Sequence, residues 1–203
     1  MKIGKKYSHL NGEEFLLVHK RELYQEIEEV IHEIDPEQFR TKVSREIKRV
    51  GDKLFSPIDL NSEFKRLFNE RGWKEDRYSY YITLNRDLME QSIPMETKDQ
   101  RKFLIEKGED PIYSYNQTDF VKDQISVEVQ FGKYSFVAFD LFVKHMLFYS
   151  GNKINVGVEI LATKEMVREM SSGIGYFEGE VYNLMRQGRT SPPVPLLVLG
   201  IEP

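Results

Sequence analysis

The chain contains no cysteine among its 203 residues. This absence excludes disulfide bonds, thiolate zinc sites and cysteine nucleophiles, so any bound metal must have oxygen or imidazole ligands. The four histidines also show no pair at a metal-site spacing and no H-x-E motif, which predicts ordinary surface or core side chains at His9, His19, His32 and His145. We therefore expect any metal site to consist of oxygen atoms.

Long apolar runs are missing as well. No stretch reaches the roughly 18 apolar residues that span a bilayer, and residues 1–9 are charged and lack the apolar centre of a signal peptide. We expect a cytoplasmic protein that has no membrane contact. The composition, 40% hydrophobic and 31% charged with 13 phenylalanines and 11 tyrosines, is typical of an ordered globular chain. The length predicts a single domain, residues 1–203.

The chain has no excess of positive charge. Its net charge of −4 argues against a polycationic DNA coat, because non-specific DNA affinity comes mainly from Lys and Arg that neutralise phosphates. The 29 basic residues could still line a local cleft, and carboxylates gathered around a cation would add negative charge. Residues 39–53 are the most basic stretch, which predicts either a solvated face or a phosphate-contacting segment.

The first 110 residues predict an accessory and mostly helical part. Apolar spacing, capping residues and breakers indicate helices at residues 21–34, from an N-cap at Asn61 to Gly72, and at residues 98–107. Residues 78–83 predict a strand whose tyrosines either pack against neighbouring strands or stack on bases. The break at Asp110 and Pro111 separates this part from a catalytic core, residues 111–203.

The catalytic core predicts an α/β fold. The expected order is a hairpin at 113–121 and 125–131, a helix at 136–149, a strand at 156–161, helices at 163–170 and 176–186, and a strand at 196–201. This order favours a mixed β-sheet flanked by helices. The helix at 136–149 is apolar almost all round, so it is either a central core element or a surface for another chain.

The predicted hairpin carries the candidate chemistry. Ile125, Val127, Val129 and Phe131 alternate with Ser126, Glu128 and Gln130, which gives one apolar and one polar face. Asp119, on the neighbouring strand, can reach the same edge as Glu128. Two carboxylates and the Val129 carbonyl would suit Mg²⁺ and leave positions for a phosphate oxygen and a water that Gln130 orients. By spacing alone, acidic residues on the solvent face of a half-buried strand are the more ordinary explanation of the pattern.

A resemblance supports the catalytic interpretation. The segment NQTDFVKDQISVEVQFGKYSF, residues 116–136, resembles the catalytic hairpin of type II restriction endonucleases of the BstYI/BglII group, with the pattern D-F-x(7)-E-V-Q-F. Gln130 stands where the commoner PD-(D/E)xK pattern has lysine, and this departure is itself shared with that group. The similarity extends from YSHLNG at residues 7–12 to RQGR at residues 186–189 and is strongest over residues 116–188.

The resemblance implies a restriction-endonuclease-like fold with Asp119, Glu128 and Gln130 as catalytic residues. It also implies a Mg²⁺-dependent homodimer that cuts double-stranded DNA at a palindromic GATC-centred site, with an outer purine-pyrimidine pair and four-base 5′ overhangs. A cognate DNA methyltransferase in the same host is implied, without any required contact. The two-fold symmetry of a palindrome favours a two-fold dimer, for which the helix at 136–149 is a candidate surface.

Two loops are candidates for base readout by the same analogy. Lys133 could donate to guanine O6 and N7, and the hydroxyls of Ser171 and Ser172 could donate or accept. Such residues suit a degenerate outer base pair. A turn or a helix cap is the alternative explanation for the two serines.

Two other functions remain compatible with the hairpin. One is a catalytically silent DNA-binding protein of the same fold, against which the joint presence of Asp119, Glu128 and Gln130 argues. The other is a structure-selective repair nuclease, which would use the same metal chemistry without sequence readout.

Overall fold

The chain forms two compact units. The computed structural model describes residues Met1–Pro203. The larger unit consists of Met1–Glu75 and Thr118–Pro203, and the smaller one of Asp76–Gln117. In chain order the elements are β1 (Lys2–His9), α1 (Gly12–His19), α2 (Arg21–Glu33), β2 (Lys42–Val43), β3 (Lys53–Leu54), α3 (Pro57–Glu70), β4 (Lys74–Ile82), α4 (Arg86–Ser92), α5 (Thr97–Glu106), β5 (Ile112–Lys122), β6 (Ile125–Val129), α6 (Tyr134–Phe139), a π-helical turn (Asp140–Lys144), α7 (His145–Ser150), β7 (Val156–Ala162), α8 (Lys164–Val167), α9 (Phe177–Gln187) and β8 (Leu196–Glu202).

The main sheet is mixed, as the sequence predicts. Its strand order is β1-β8-β7-β6-β5-β4. β7 runs parallel to β6 and β8, whereas β1 is antiparallel to β8 and β5 is antiparallel to β6. Every residue of β6 and β7 is buried, which is typical of parallel strands that are covered on both faces. None of the helices has the length and apolarity that crossing a membrane requires.

The two faces of β6 meet different layers. Ile125, Val127 and Val129 belong to the larger core cluster, which also contains the apolar residues of α2 and α3. The opposite face carries Ser126 and Glu128, and both are 1% exposed. The alternation is therefore confirmed, but the polar face is covered by the helical segment 134–150 and is not solvated.

Several predicted helices are confirmed, and one helix start is wrong. α2 and α5 lie within one or two residues of their predicted bounds. α3 begins at Pro57 instead of after Asn61, because the Ser56 side chain accepts a hydrogen bond from the amide of Asp59 and caps the helix. Proline at the first helical position loses no hydrogen bond there. Asn61 consequently lies inside α3.

Strand β1 and helix α1 have no counterpart among the sequence predictions. β1 is an edge strand that carries Lys2, Lys5 and Lys6, and its polar side chains obscure the apolar alternation from which strands are recognised. Lysines of this kind also disfavour pairing of the edge with another chain.

The smaller unit contains α4, α5 and the paired portions of β4 and β5. Its tyrosines make cross-strand contacts, such as Tyr81 and Tyr113, whose ring centroids are 5.6 Å apart. Arg77 lies 4.6 Å from the ring centroid of Tyr115 and donates to the side-chain oxygen of Gln117. These contacts favour packing, one of the two explanations for the tyrosines of this region.

Candidate active site

A tight turn brings the two predicted carboxylates together. Asp123 and Gln124 have positive φ angles of 46° and 63°, the conformation of a two-residue turn that matches strand twist. Phe120 pairs with Val127, so Asp119 lies next to Glu128 across the two strands. The amide of Asp119 donates to Glu128 Oε2 over 3.3 Å, and the amide of Val129 donates to Asp119 Oδ2 over 3.4 Å. The hairpin thus places both carboxylates at one point.

A cleft of about 150 Å³ opens beside Asp119. It is lined by residues of α3, β4, β5 and β6, namely Asn61, Lys65, Glu75, Asp119, Phe120 and Val129. The side-chain oxygen of Asn61 is buried there without a hydrogen-bond partner. Sequence reasoning assigned Asn61 to a helix cap and missed its place beside the carboxylates, because the cleft forms only when α3 packs against the hairpin.

Glu128 is a buried carboxylate with one unpartnered oxygen. Its Oε2 accepts a hydrogen bond from Lys144 over 3.0 Å, whereas Oε1 is buried without a partner. Burial, together with the negative charge of the Asp119 carboxylate, raises the pKa of Glu128 to about 8 against the opposing effect of the Lys144 ammonium. The environment of Glu128 therefore disfavours loss of its proton, and a bound cation would favour it.

Lys144 bridges two buried carboxylates from the helical segment 134–150. Its Nζ lies 3.0 Å from Glu128 Oε2 and 2.6 Å from Asp140 Oδ1. The π-helical turn that contains both Asp140 and Lys144 adds a residue to the helical winding, a device that is frequent at functional sites. In the sequence, Asp140 and Lys144 interrupt a predicted helix that is otherwise apolar almost all round. That interruption was the signal of their burial against a polar strand face.

Gln130 has both ends of its side chain engaged. Nε2 donates to Asp140 Oδ2 over 3.0 Å, and Oε1 accepts from the amide of Gly132 over 2.9 Å. A Cβ atom at position 132 would lie 2.5 Å from that oxygen, so glycine allows this close approach. Asp140 and Gly132 thus fix the orientation of the amide next to the carboxylate pair.

A second polar network lies deeper under the sheet face. His145 Nδ1 lies 3.0 Å from the hydroxyl of Ser126, and Nε2 lies 3.1 Å from Glu159 Oε2. Burial lowers the pKa of His145 to about 3, which keeps the imidazole neutral, and burial raises the pKa of Glu159 well above its ordinary value. All three side chains are at most 1% exposed. Their exclusion from solvent argues for a structural role, in agreement with the predicted core histidine.

The structure places the three predicted readout residues on adjoining loops. Lys133 forms an isolated β-bridge with Ile174, and the amide of Tyr134 donates to the carbonyl of Gly173 over 3.1 Å. Ser172 and Lys133 are exposed, and Ser171 is half-buried. Their contact with bases stays a prediction, but the two loops form one surface.

The predicted metal site consists of two carboxylates and a backbone carbonyl. No group of three or more His, Asp or Glu side chains is placed to hold a metal ion. The oxygen atoms near one another here are those of Asp119 and Glu128, with Val129 and Asn61 lining the same cleft. Two side-chain carboxylates would leave the remaining positions of a hard cation to carbonyl, water or substrate oxygen.

Comparison with known proteins identifies the family. The family model for restriction endonuclease BglII/BglIII matches residues 5–201. A crystal structure of restriction endonuclease BglII complexed with a DNA 16-mer is similar with a TM-score of 0.63 and 23% identity, over 98% of this chain and 76% of that chain. A crystal structure of free BglII gives a TM-score of 0.59 and 19% identity, over 100% of this chain and 80% of that one. No curated protein matches the sequence.

The structural matches agree with the fold that the resemblance implies, and the family match spans almost the whole chain. The predicted α/β fold with a mixed sheet between helices is therefore confirmed. The chain belongs to the BglII/BglIII family of restriction endonucleases, which are site-specific deoxyribonucleases.

Proposed function

We propose that this type II restriction endonuclease is a cytoplasmic, Mg²⁺-dependent homodimer that cuts double-stranded DNA at a palindromic RGATCY-like site and leaves four-base 5′ overhangs. The observation that carries the cleavage chemistry is the pair of adjacent carboxylates, Asp119 and Glu128, beside a cleft that contains an unpartnered amide oxygen, and the target site and overhang are those that the sequence resemblance implies. A cognate methyltransferase would protect host DNA without contacting the enzyme.

The donor atoms fit a hard divalent cation. Asp119, Glu128 and the Val129 carbonyl would hold the ion, and the unpartnered oxygens of Glu128 and Asn61 are buried acceptors that lack a positive partner. When bound, Mg²⁺ would lower the pKa of a water molecule and offset negative charge at the phosphorus.

The protein groups around the carboxylates would fix the reacting geometry. Lys144 holds the Glu128 carboxylate from the helix side and so leaves Oε1 available. The Gln130 amide is held by Asp140 and Gly132, and its Oε1 has a second lone pair that could accept from the attacking water. Orientation of a nucleophile in this way contributes to rate by pre-organisation.

The helical segment 134–150 supports a homodimer. Its outer side carries a stripe of apolar side chains that are 37–56% exposed, namely Phe136, Phe139, Val143, Met146 and Tyr149. A contiguous apolar stripe of this kind is typical of an interaction surface. A second copy is the occupant that a palindromic substrate requires, because a two-fold axis relates the two half-sites.

Cleavage of plasmid DNA tests the proposed activity. We expect discrete fragments with Mg²⁺ and none with EDTA. Asp119→Asn should abolish cleavage and largely retain site-specific binding, because it removes one cation ligand and leaves the readout loops intact. Asp123→Asn is the matched control, since it makes the same change in the exposed turn of the same hairpin and should cut normally.

The alternatives give different results in the same assay. Binding without cutting would favour a catalytically silent DNA-binding protein. A smear, or cutting that depends on DNA branches, would favour a structure-selective repair nuclease. Full activity of Asp119→Asn would contradict the assigned metal site.

Sequencing of cut ends from a randomised library tests the proposed specificity. Substitutions at Lys133 and Ser172 should change the preference at the outer base pair more than at the central GATC, because both residues are assigned to outer-pair readout. An altered central tetranucleotide would count against this assignment.

A further inference from the structure

A small hairpin outside the main sheet holds the loop that carries Ser171 and Ser172. Residues 42–54, called here the β2–β3 arm, contain two short antiparallel strands, in which Lys42 pairs with Leu54 and Val43 with Lys53. A 3-10 turn at Ile47–Arg49 lies between them. The arm comprises most of the basic stretch for which the sequence predicts either a solvated face or phosphate contact.

Arg49 binds the backbone that leads into the loop. Its guanidinium donates to the carbonyl of Arg168 over 2.5 Å and to that of Met170 over 2.8 Å. The same side chain forms an ion pair with Glu46 at 2.9 Å. Because a guanidinium presents several donors in a rigid plane, one side chain can fix two carbonyls and a carboxylate at once.

Glu46 and Lys42 bind the loop itself. Glu46 Oε1 accepts a hydrogen bond from the amide of Ser172 over 3.0 Å, and this bond, with the pair to Arg49, holds the pKa of Glu46 below its usual range. Lys42 Nζ donates to the hydroxyl oxygen of Ser171 over 2.5 Å.

The residue after the arm contributes as well, because the amide of Phe55 donates to the carbonyl of Glu169 over 3.0 Å. Each residue from 168 to 172 is therefore contacted by the arm or by the residue that follows it.

The contact from Lys42 also limits what the Ser171 hydroxyl can recognise. The ammonium donor occupies one of the two lone pairs of its oxygen, which leaves the hydroxyl hydrogen and a single acceptor lone pair available to a base. Adenine and guanine both present N7 as an acceptor in the major groove. A donor aimed at N7 would accept either purine and reject pyrimidines, which is the degeneracy expected at the outer base pair.

We propose that the β2–β3 arm is a positioning element for base readout, in which Arg49 and Glu46 fix the backbone of residues 168–172 and Lys42 orients the Ser171 hydroxyl toward a purine acceptor. This proposal rests on the proposed readout by the serine loop. It assigns the basic stretch to the specificity of cleavage and not only to general attraction of DNA.

Arg49→Met and Lys48→Met form a matched pair of variants. Lys48 is exposed in the same 3-10 turn, so both substitutions remove one positive charge, but only Arg49→Met removes contacts to the loop. Hydrogen exchange of the DNA-free protein reads the positioning directly. We expect amide exchange over residues 168–173 to accelerate at least roughly tenfold in Arg49→Met, which loses two charge-assisted hydrogen bonds to this segment, and to stay unchanged in Lys48→Met.

The second readout is the ratio of kcat/KM for sites with a purine at the 5′ outer position to kcat/KM for sites with a pyrimidine there. It should change roughly tenfold in Arg49→Met and Lys42→Met, which is the effect of losing one oriented hydrogen bond to a base. Lys48→Met should lower the affinity and its salt dependence equally for all sites. Lys42→Met leaves the backbone contacts in place and so serves as a second variant if Arg49→Met folds poorly.

The outcomes separate this proposal from the proposed function. Equal exchange and equal site preference in Arg49→Met and Lys48→Met would overturn the positioning role. Faster loop exchange with an unchanged purine preference, when Ser171→Ala does alter the preference at the outer pair, would also overturn it while leaving the readout assignment intact. An unchanged preference in both Ser171→Ala and Ser172→Ala would instead remove the proposed readout itself.

Discussion

Replacing Lys144 with methionine would test how the buried charges of the site are balanced. Methionine has a similar length and no charge, so the substitution removes the ammonium while it retains most of the packing volume. Glu128 and Asp140, which are 1% and 2% exposed, would then lose the cation that lies between them. The helical segment 134–150 would lose its ionic attachment to β6.

The expected loss of stability follows from the geometry. At 3.0 Å and an effective dielectric constant of about 20, the attraction between Lys144 and Glu128 is about 5 kcal/mol before desolvation is counted. Deleting one partner of a buried ion pair typically costs about 3–5 kcal/mol, because the remaining charge stays buried without compensation. We expect the loss to approach this range only at about pH 9, above the Glu128 pKa of about 8, and to be smaller at pH 6, where the carboxyl is protonated and leaves no uncompensated charge.

Urea unfolding in EDTA, followed by tryptophan fluorescence, measures this loss. The single tryptophan, Trp73, is fully buried against Phe68 and reports on the larger unit. Lys102→Met is the control, because Lys102 forms an exposed pair with Glu106 at 3.9 Å whose removal should change the free energy of unfolding by less than about 1 kcal/mol. A double-mutant cycle with Glu128→Gln isolates the pairwise contribution.

A loss below about 1 kcal/mol in Lys144→Met, equal to that of the control, would refute the reasoning. Such a result would mean that the Lys144 ammonium reaches solvent and that Glu128 and Asp140 remain stable in the folded protein without it. Independent, additive effects of Lys144→Met and Glu128→Gln would lead to the same conclusion.

Three further predictions concern pH, packing and assembly. Because burial raises the pKa of Glu128 from 4.5 to about 8, the folded protein retains a proton that the unfolded chain releases. The free energy of unfolding in EDTA should therefore fall by about 2 kcal/mol from pH 6 to pH 8 through this group, and Glu128→Gln should remove this pH dependence. Parallel pH profiles of the two proteins would contradict the prediction. Gly157→Ala would place a Cβ in steric conflict with His145 Nδ1 and should lower the free energy of urea unfolding by about 1–3 kcal/mol. An unchanged midpoint would show that α7 can shift to accommodate the methyl group. Phe139→Glu should convert the proposed dimer to monomer in sedimentation velocity, whereas Tyr182→Glu, at an exposed position of α9, should not. An intact dimer in both variants would show that the interface does not include Phe139.

The elements near the site were predictable because their signals are local. Asp119 and Glu128 are nine residues apart and are joined by a two-residue turn, so strand alternation and turn chemistry were enough to bring them together. The order of strands and helices after Pro111 likewise follows from periodicity and breakers. β1 and the start of α3 were missed or misplaced because lysines on an edge strand and a serine cap do not stand out in an apolar pattern.

By itself, the sequence determined the hairpin, the alternation that separates its two faces, and the family to which the chain belongs. The tertiary structure decided which groups surround the carboxylates: Asn61 arrives from α3, Lys144 from the helical segment 134–150, and the β2–β3 arm reaches a serine loop more than 100 residues away. The physical reason is that periodicity encodes which side of an element is buried, but not which buried surface it meets. A buried charge finds its partner only when the elements pack together, and such partners now distinguish this site from an acidic patch on a solvated strand.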